Sequence, residues 1–191
     1  NHDMRRLDAT VDSGLIDAHN WLFTARGIPV VYYGSETGFM RGQLEHGGNR
    51  SYFGQARIDA APQSPIFGPL KRIATLRRDT PALQRGLQLD VRLQGDQAIF
   101  YRVLQHDGVN QTALVLLNKG DAPAKLAVTE YLQPGPWHDA FTGKTQRVRD
   151  RLQAEVPAHG VRVFLFDQPL TRKDTRARLA DLMARKKTDP Q

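Results

Sequence analysis

The chain contains no cysteine. That absence removes disulfide bonds, thiolate nucleophiles and thiolate metal sites together, and it is compatible with either a reducing or an oxidising compartment. No stretch approaches the ~18 consecutive apolar residues that a bilayer-crossing helix requires, so no membrane partner is expected. Metal-ligand spacing is missing as well: Glu45-His46 has no second histidine four residues away, and no metal site is expected. Residues 171 to 191 contain no Phe, Tyr or Trp, yet they hold seven Lys and Arg against three Asp. They carry +4 of the formal net charge of +7, leaving +3 for the rest. A surface that recognises nucleic acid spreads basic groups over a folded face with aromatic or polar partners. The stretch instead reads as a solvated tail, and no nucleic-acid partner is expected. An adaptor acting through it would bind DNA in a salt-dependent way and lose binding when residues 171 to 191 are deleted.

What is present is ordinary for a globular chain. Its 191 residues, 40% apolar and 25% charged, suffice for one large or two small domains. Val11, Leu15, Ile16, Leu22 and Phe23 recur near helical spacing over residues 8 to 26, with Asp8, Thr10 and Asp12 supplying capping oxygens. Gly27 stops that helix and Pro29 keeps it from resuming. Residues 28 to 33 are then uniformly apolar or aromatic, which predicts a strand covered on both faces and ending at Gly34. Residues 35 to 64 lose periodicity and form a long loop punctuated by glycine and proline. Pro69 suits a first helical turn, and Leu70, Ile73, Ala74 and Leu76 mark a helix whose Lys71, Arg72, Arg77 and Arg78 lie off the core stripe.

Beyond Ala82 the period changes to two. Leu87, Leu89, Val91 and Leu93 alternate with polar residues, and further strand-like runs occupy residues 98 to 104, 112 to 117, 125 to 129 and 161 to 166. Turn signals at Gly95-Asp96, Asp107-Gly108, Pro134-Gly135-Pro136, Thr142-Gly143 and His159-Gly160 separate them. This pitch argues for an antiparallel sandwich of about six to eight strands. The sequons Asn49-Arg50-Ser51 and Asn110-Gln111-Thr112 are short enough to arise by chance.

Asn1-His2-Asp3-Met4, a helix, Gly27-Ile28-Pro29-Val30-Val31-Tyr32-Tyr33-Gly34-Ser35-Glu36 and a loop with Gly47-Gly48-Asn49-Arg50 succeed one another in that order. This arrangement resembles the C-terminal half of the α-amylase family of glycoside hydrolases, most nearly its cyclodextrin glucanotransferases. The resemblance implies an α/β plus all-β chain: the C-terminal part of a (β/α)8 barrel over residues 1 to 85, an antiparallel β-sandwich over 86 to 167, and a basic tail, helical or disordered, over 168 to 191. It further implies a retaining hydrolase or transglycosylase acting on an α-glucan oligosaccharide such as starch or maltodextrin. A secreted or periplasmic location would accompany that activity.

In the resemblance, Asp3 is the carboxylate that stabilises the transition state, and His2 hydrogen-bonds the sugar at the cleavage point. Arg50 matches an arginine holding a distal glucose. His46 stands where the glucanotransferases have an aspartate, and it is carried as a candidate substrate contact. No cofactor is implied for this chain; calcium stays open for the complete enzyme. The family's nucleophile and acid lie on earlier strands, and no initiator methionine or strand precedes Asn1. The expectation is a fragment lacking its N-terminal barrel segment and inert alone, because without a nucleophile there is no covalent route. A rival reading is a non-catalytic carbohydrate-binding or interaction module, for which Trp137, Tyr131 and Phe141 are the aromatics that cluster suitably on one sandwich face. Glu36 could also reach the rim, although a loop glutamate beside Gly34 more often braces the loop.

Overall fold

The structure, a computed structural model, describes residues 11–43, 47 and 50–185. Helices come first: α1 (Asp12–Thr24), the short α2 (Gln55–Ala60), α3 (Phe67–Asp79) and α4 (Pro81–Arg85). Eight strands come next: β1 (Leu87–Gln94), β2 (Gln97–His106), β3 (Val109–Asn118), β4 (Ala124–Val128), β5 (Gly135–Asp139), β6 (Thr145–Val148), β7 (Leu152–Val156) and β8 (Gly160–Phe166). Helix α5 (Lys173–Arg185) is the last element. The strands form one six-stranded sheet, ordered β1-β2-β3-β8-β5-β6, and one two-stranded sheet, β4-β7, with every pairing antiparallel.

Alternation along each strand decides which side chain meets which neighbour. Ile99, Tyr101 and Val103 of β2, Leu114 and Leu116 of β3, and Phe164 and Phe166 of β8 enter the core shared with the two-stranded sheet. Their neighbours in sequence, Phe100, Leu104, Ala113, Val115, Val163 and Leu165, meet Ile73 and Leu76 of α3 and Ala82 and Leu83 of α4 on the opposite face. These three strands are buried on both faces, so they read as continuous apolar runs. Three layers result, with helices α1, α3 and α4 on one side of the large sheet and the small sheet on the other.

Three side chains depart from the expected pattern. Trp137 is fully buried between the sheets, 5.3 Å from the Phe166 ring, and its indole N–H donates to the Gln133 carbonyl at 2.8 Å. Tyr131 packs on that same core, whereas Phe141 belongs to the helix side, beneath the Arg72 guanidinium at 4.1 Å. The three aromatics therefore share no exposed face, because the sheet lies between them, and the sandwich-face sugar platform is withdrawn. Asp139, also buried, accepts from the amides of Phe141 and Thr142 at 2.9 Å each, which turns the chain between β5 and β6.

Residues 28–33 are a second departure. They form no strand, and Ile28 and Val30 are 88% and 78% exposed. The physical reason is the want of neighbours: a strand covered on both faces needs hydrogen-bonding partners along its edges, and none of the pairings among the described residues includes this run. The stretch read as a frayed tail differs too. Leu170 and Leu179 are buried in the inter-sheet core, and the Gln133 amide holds Thr171 and Arg172, accepting from their backbone N–H groups at 3.1 and 3.2 Å. Apolar anchors on one face give the basic helix α5 a reason to dock.

Candidate functional site

Of the four residues singled out from sequence, His2, Asp3 and His46 lie outside the described residues, and Arg50 is exposed. What the structure describes is the frame around them. Asp12, in the first turn of α1, forms an ion pair with Arg41. That contact ties the start of the helix, nine residues after Asp3 in the chain, to the loop after Gly34. The Tyr33 hydroxyl donates to the Ser51 carbonyl at 2.7 Å, and the Ser51 hydroxyl donates to the Gly47 carbonyl at 2.8 Å. The loop carrying Arg50 is thereby fixed to the end of the exposed apolar run.

An aromatic cluster stiffens the loop. Phe39 and Phe53 meet edge to face at 5.0 Å, Tyr33 contacts Phe53 at 6.2 Å, and the Arg57 guanidinium sits 5.2 Å over the Phe39 ring. Such edge-to-face pairs add roughly 0.5–1.5 kcal/mol each beyond burial. Gly34 has φ +82° and a Cβ there would lie 2.7 Å from the Phe39 Cβ, so the turn admits only glycine. Glu36 sits next in a short 3-10 turn and is half-buried. Its charge acts on the buried His19, whose imidazole is held below its ordinary pKa chiefly by burial, with Glu36 opposing.

Two arginines that pattern reading assigned to the surface or to a strand secure the other end of α1. Arg77 is buried and donates to the carbonyls of Phe23, Ala25 and Gly27. Arg102, 1% exposed, donates to the Thr24 carbonyl at 2.8 Å and to Gly86 at 3.0 and 3.2 Å. The last carbonyls of a helix lack intrahelical donors and carry the negative end of its dipole. Guanidinium groups supply both donors and opposite charge. Burial, with Arg77 nearby, pushes the Arg102 pKa down to about 10, still protonated at neutral pH. The signal in sequence was the arginine between Phe100 and Leu104 on a strand buried on both faces.

A second cross-link joins α1 to the sheet. His159 precedes β8 with φ +50°, its Nδ1 lies 2.8 Å from Asp17 of α1, and its Nε2 lies 2.9 Å from Asp121. The two carboxylates raise its pKa, the Asp17 hydrogen bond most, which favours the protonated ring able to donate from both nitrogens. Among the described residues no cluster of three His, Asp or Glu could hold a metal ion, and no helix is long and apolar enough to cross a membrane.

No protein-family model matches the chain. A cyclomaltodextrin glucanotransferase from Klebsiella oxytoca is 30% identical over 115 residues, which cover 59% of this chain and 16% of that protein. Among solved structures, CldA, a cyclomaltodextrin glucanotransferase with a three-domain ABC distribution, superposes with a TM-score of 0.62 and 26% identity over 88% of this chain and 35% of CldA. An Anoxybacillus α-amylase superposes with a TM-score of 0.64 over 90% of this chain and 37% of its own; at 19% identity it shows the fold alone. The chain thus spans about a sixth of that sequence relative and about a third of these structures. With its antiparallel sheet, its helical face and these matches, the chain is similar to a C-terminal portion of α-amylase-family glycoside hydrolases.

Proposed function

We propose that this chain is the stabiliser-bearing portion of a retaining α-glucan hydrolase or transglycosylase acting on starch or maltodextrin. Residues 1–85 belong to the end of a (β/α)8 barrel and 86–167 to the sandwich behind it. The exposed apolar run of residues 28–33 carries this reading. Ile28, Val30, Val31 and Tyr33 all face solvent, although burying each side chain would contribute about 1.5–3 kcal/mol. A run of that composition, ending at a glycine and a polar loop, is what a parallel strand presents before its neighbours are added. In a barrel, residues at the C-terminal ends of strands line one rim, where the chemistry occurs.

Retaining hydrolysis needs a nucleophilic carboxylate and a protonated carboxyl on either side of the bond, and its transition state resembles an oxocarbenium ion. In this reading both groups lie on barrel strands outside the 191 residues. Asp3 supplies a third carboxylate that steadies the developing positive charge. His2 donates to a sugar hydroxyl. Arg50, with its planar fork of donors, and His46 meet more distant hydroxyls. The chain alone binds glucan at most weakly at this rim and cleaves none.

The test is reducing-end release from soluble starch by the chain, and by the protein translated from the coding sequence extended upstream of Asn1. The chain alone gives no release above buffer. The longer protein turns over, and Asp3→Asn lowers its kcat by on the order of 10²–10³-fold, the cost of removing one preorganised electrostatic contact to a transition state. Turnover by the chain alone, or an Asp3→Asn protein of full activity, contradicts the proposal.

A further inference from the structure

The rim residues leave a different feature of α1 unused. Asp17, Ala18 and Trp21 stand one helical turn apart on a face that meets the β1–β2 turn and the end of β3. Between them is a cavity of about 470 Å³, within the ~300–1,000 Å³ range of small-ligand sites. Trp21 is 41% exposed, and its ring is propped edge to face on Phe100 at 5.6 Å. Among the described residues nothing accepts the indole N–H. A large apolar ring held rigidly yet left wet is costly unless something covers it.

The polar atoms around the indole are arranged as a rim. Asp17 lines the cavity and gives one carboxylate oxygen to His159, while burial holds its pKa above the usual carboxylate range. Gln94 and Gln97 flank the turn, and Lys119 pairs with Asp96 at 3.2 Å across its mouth. Asn118 is committed elsewhere: its amide donates to Ala122 and Pro157, and its oxygen accepts from Gly120. The remaining side chains offer donors and acceptors around an aromatic floor. A pyranose has the complementary form, with an apolar C–H face and a ring of equatorial hydroxyls.

We propose that Trp21 and this rim form a non-catalytic contact for one glucose unit of an α-glucan chain, separate from the rim that carries Arg50. The glucan class rests on the functional reading above; the site's location does not. It holds substrate on the helix-to-sheet junction, so that one polymer can engage the protein at two points and gain effective concentration at the second.

Fluorescence tests it directly, since the chain has two tryptophans and Trp137 is fully buried. Titrating maltoheptaose into the chain shifts the emission of Trp21 saturably. Trp21→Ala weakens retention on insoluble starch about tenfold. Asp96→Ala, on an exposed hairpin turn, leaves the fold intact by circular dichroism and weakens binding about threefold, as loss of one hydrogen bond predicts. Cellohexaose, β-linked, gives no shift, and Arg50→Ala leaves the fluorescence response unchanged. No saturable shift, starch binding that survives both Trp21→Ala and Asp96→Ala, or an equal response to cellohexaose overturns the site. Glucan binding lost in Arg50→Ala but kept in Trp21→Ala overturns it while leaving the enzymatic reading standing. A Trp21 response to maltoheptaose, alongside a longer protein that never cleaves starch, supports the site and sinks the enzymatic reading instead.

Discussion

At the residue scale, the side chains that matter most to the frame are arginines that a hydrophobicity pattern assigns to solvent. Arg77 sits among basic residues on α3, and Arg102 interrupts a strand, yet both are buried against main-chain carbonyls. Among the described residues no carboxylate pairs with Arg102. Its charge is instead spread over the carbonyls of Thr24 and Gly86, so its loss leaves buried acceptors without donors. Arg102→Met, of similar length, should cost about 3 kcal/mol of stability, read as a lower urea midpoint with unchanged slope. A midpoint equal to the parent's would show that water serves these carbonyls equally well. Such contacts were not legible in the sequence, because a guanidinium's partner here is a backbone atom far along the chain.

At the element scale, α1 is held to the sheet by the His159 cross-link and by Asn20, whose amide donates to the His159 carbonyl at 3.3 Å. The pH dependence comes from two raised pKa values. His159 is raised by its bonds to Asp17 and Asp121. Asp17 is raised chiefly by burial, against the lowering effects of His159 and Lys119, with Asp121 adding to the rise. A group that binds protons more tightly in the folded state favours folding at lower pH. The His159 contribution is complete below its ordinary pKa, about 6.5, and is lost as pH rises through the raised value; that of Asp17 is lost as pH climbs above the ordinary carboxylate range. Both slopes share one sign. Between about pH 6 and pH 8.5, a window spanning the ordinary histidine pKa, the urea midpoint should fall more for the parent than for His159→Gln. Parallel curves would contradict this.

Element by element, legibility tracked burial. Period-two alternation located β1, and continuous apolar runs located β2, β3 and β8, since the central strands are apolar on both faces. β6, with the single apolar residue Val148, offers no such signal. Helix α2 was hidden in the glycine-rich stretch, and none of its residues is buried. The helical expectation for residues 8 to 26 is met over Asp12–Thr24, with Gly27 at φ +106° just beyond. The apolar run at 28–33 reads as a strand by composition but forms none, because strand formation also requires partners that the described residues do not supply.

At the scale of the whole molecule, the central strands β2, β3 and β8 are covered on both faces, while the helical end keeps a strip of apolar side chains in water. Positive charge is likewise uneven: α5 anchors by Leu179 and turns its Arg176 and Arg178 outward, with Arg178 paired to Asp181 at 2.6 Å. In the proposed reading, further barrel strands would cover that apolar strip. Asn1-His2-Asp3 lies outside the described residues, and its reading as a motif comes only from the order of the helix, the apolar run and the Gly-rich loop downstream of it.

Hydrogen exchange at the amides of Val30, Val31 and Tyr32 reaches this claim most directly. In the chain alone these amides should exchange at rates close to those of an unstructured peptide. In the protein extended upstream of Asn1 they should be as protected as those of β3, because flanking barrel strands then accept their hydrogen bonds. Rapid exchange in both would contradict the account, for residues 28–33 would then be an exposed loop and the barrel reading would fall with them.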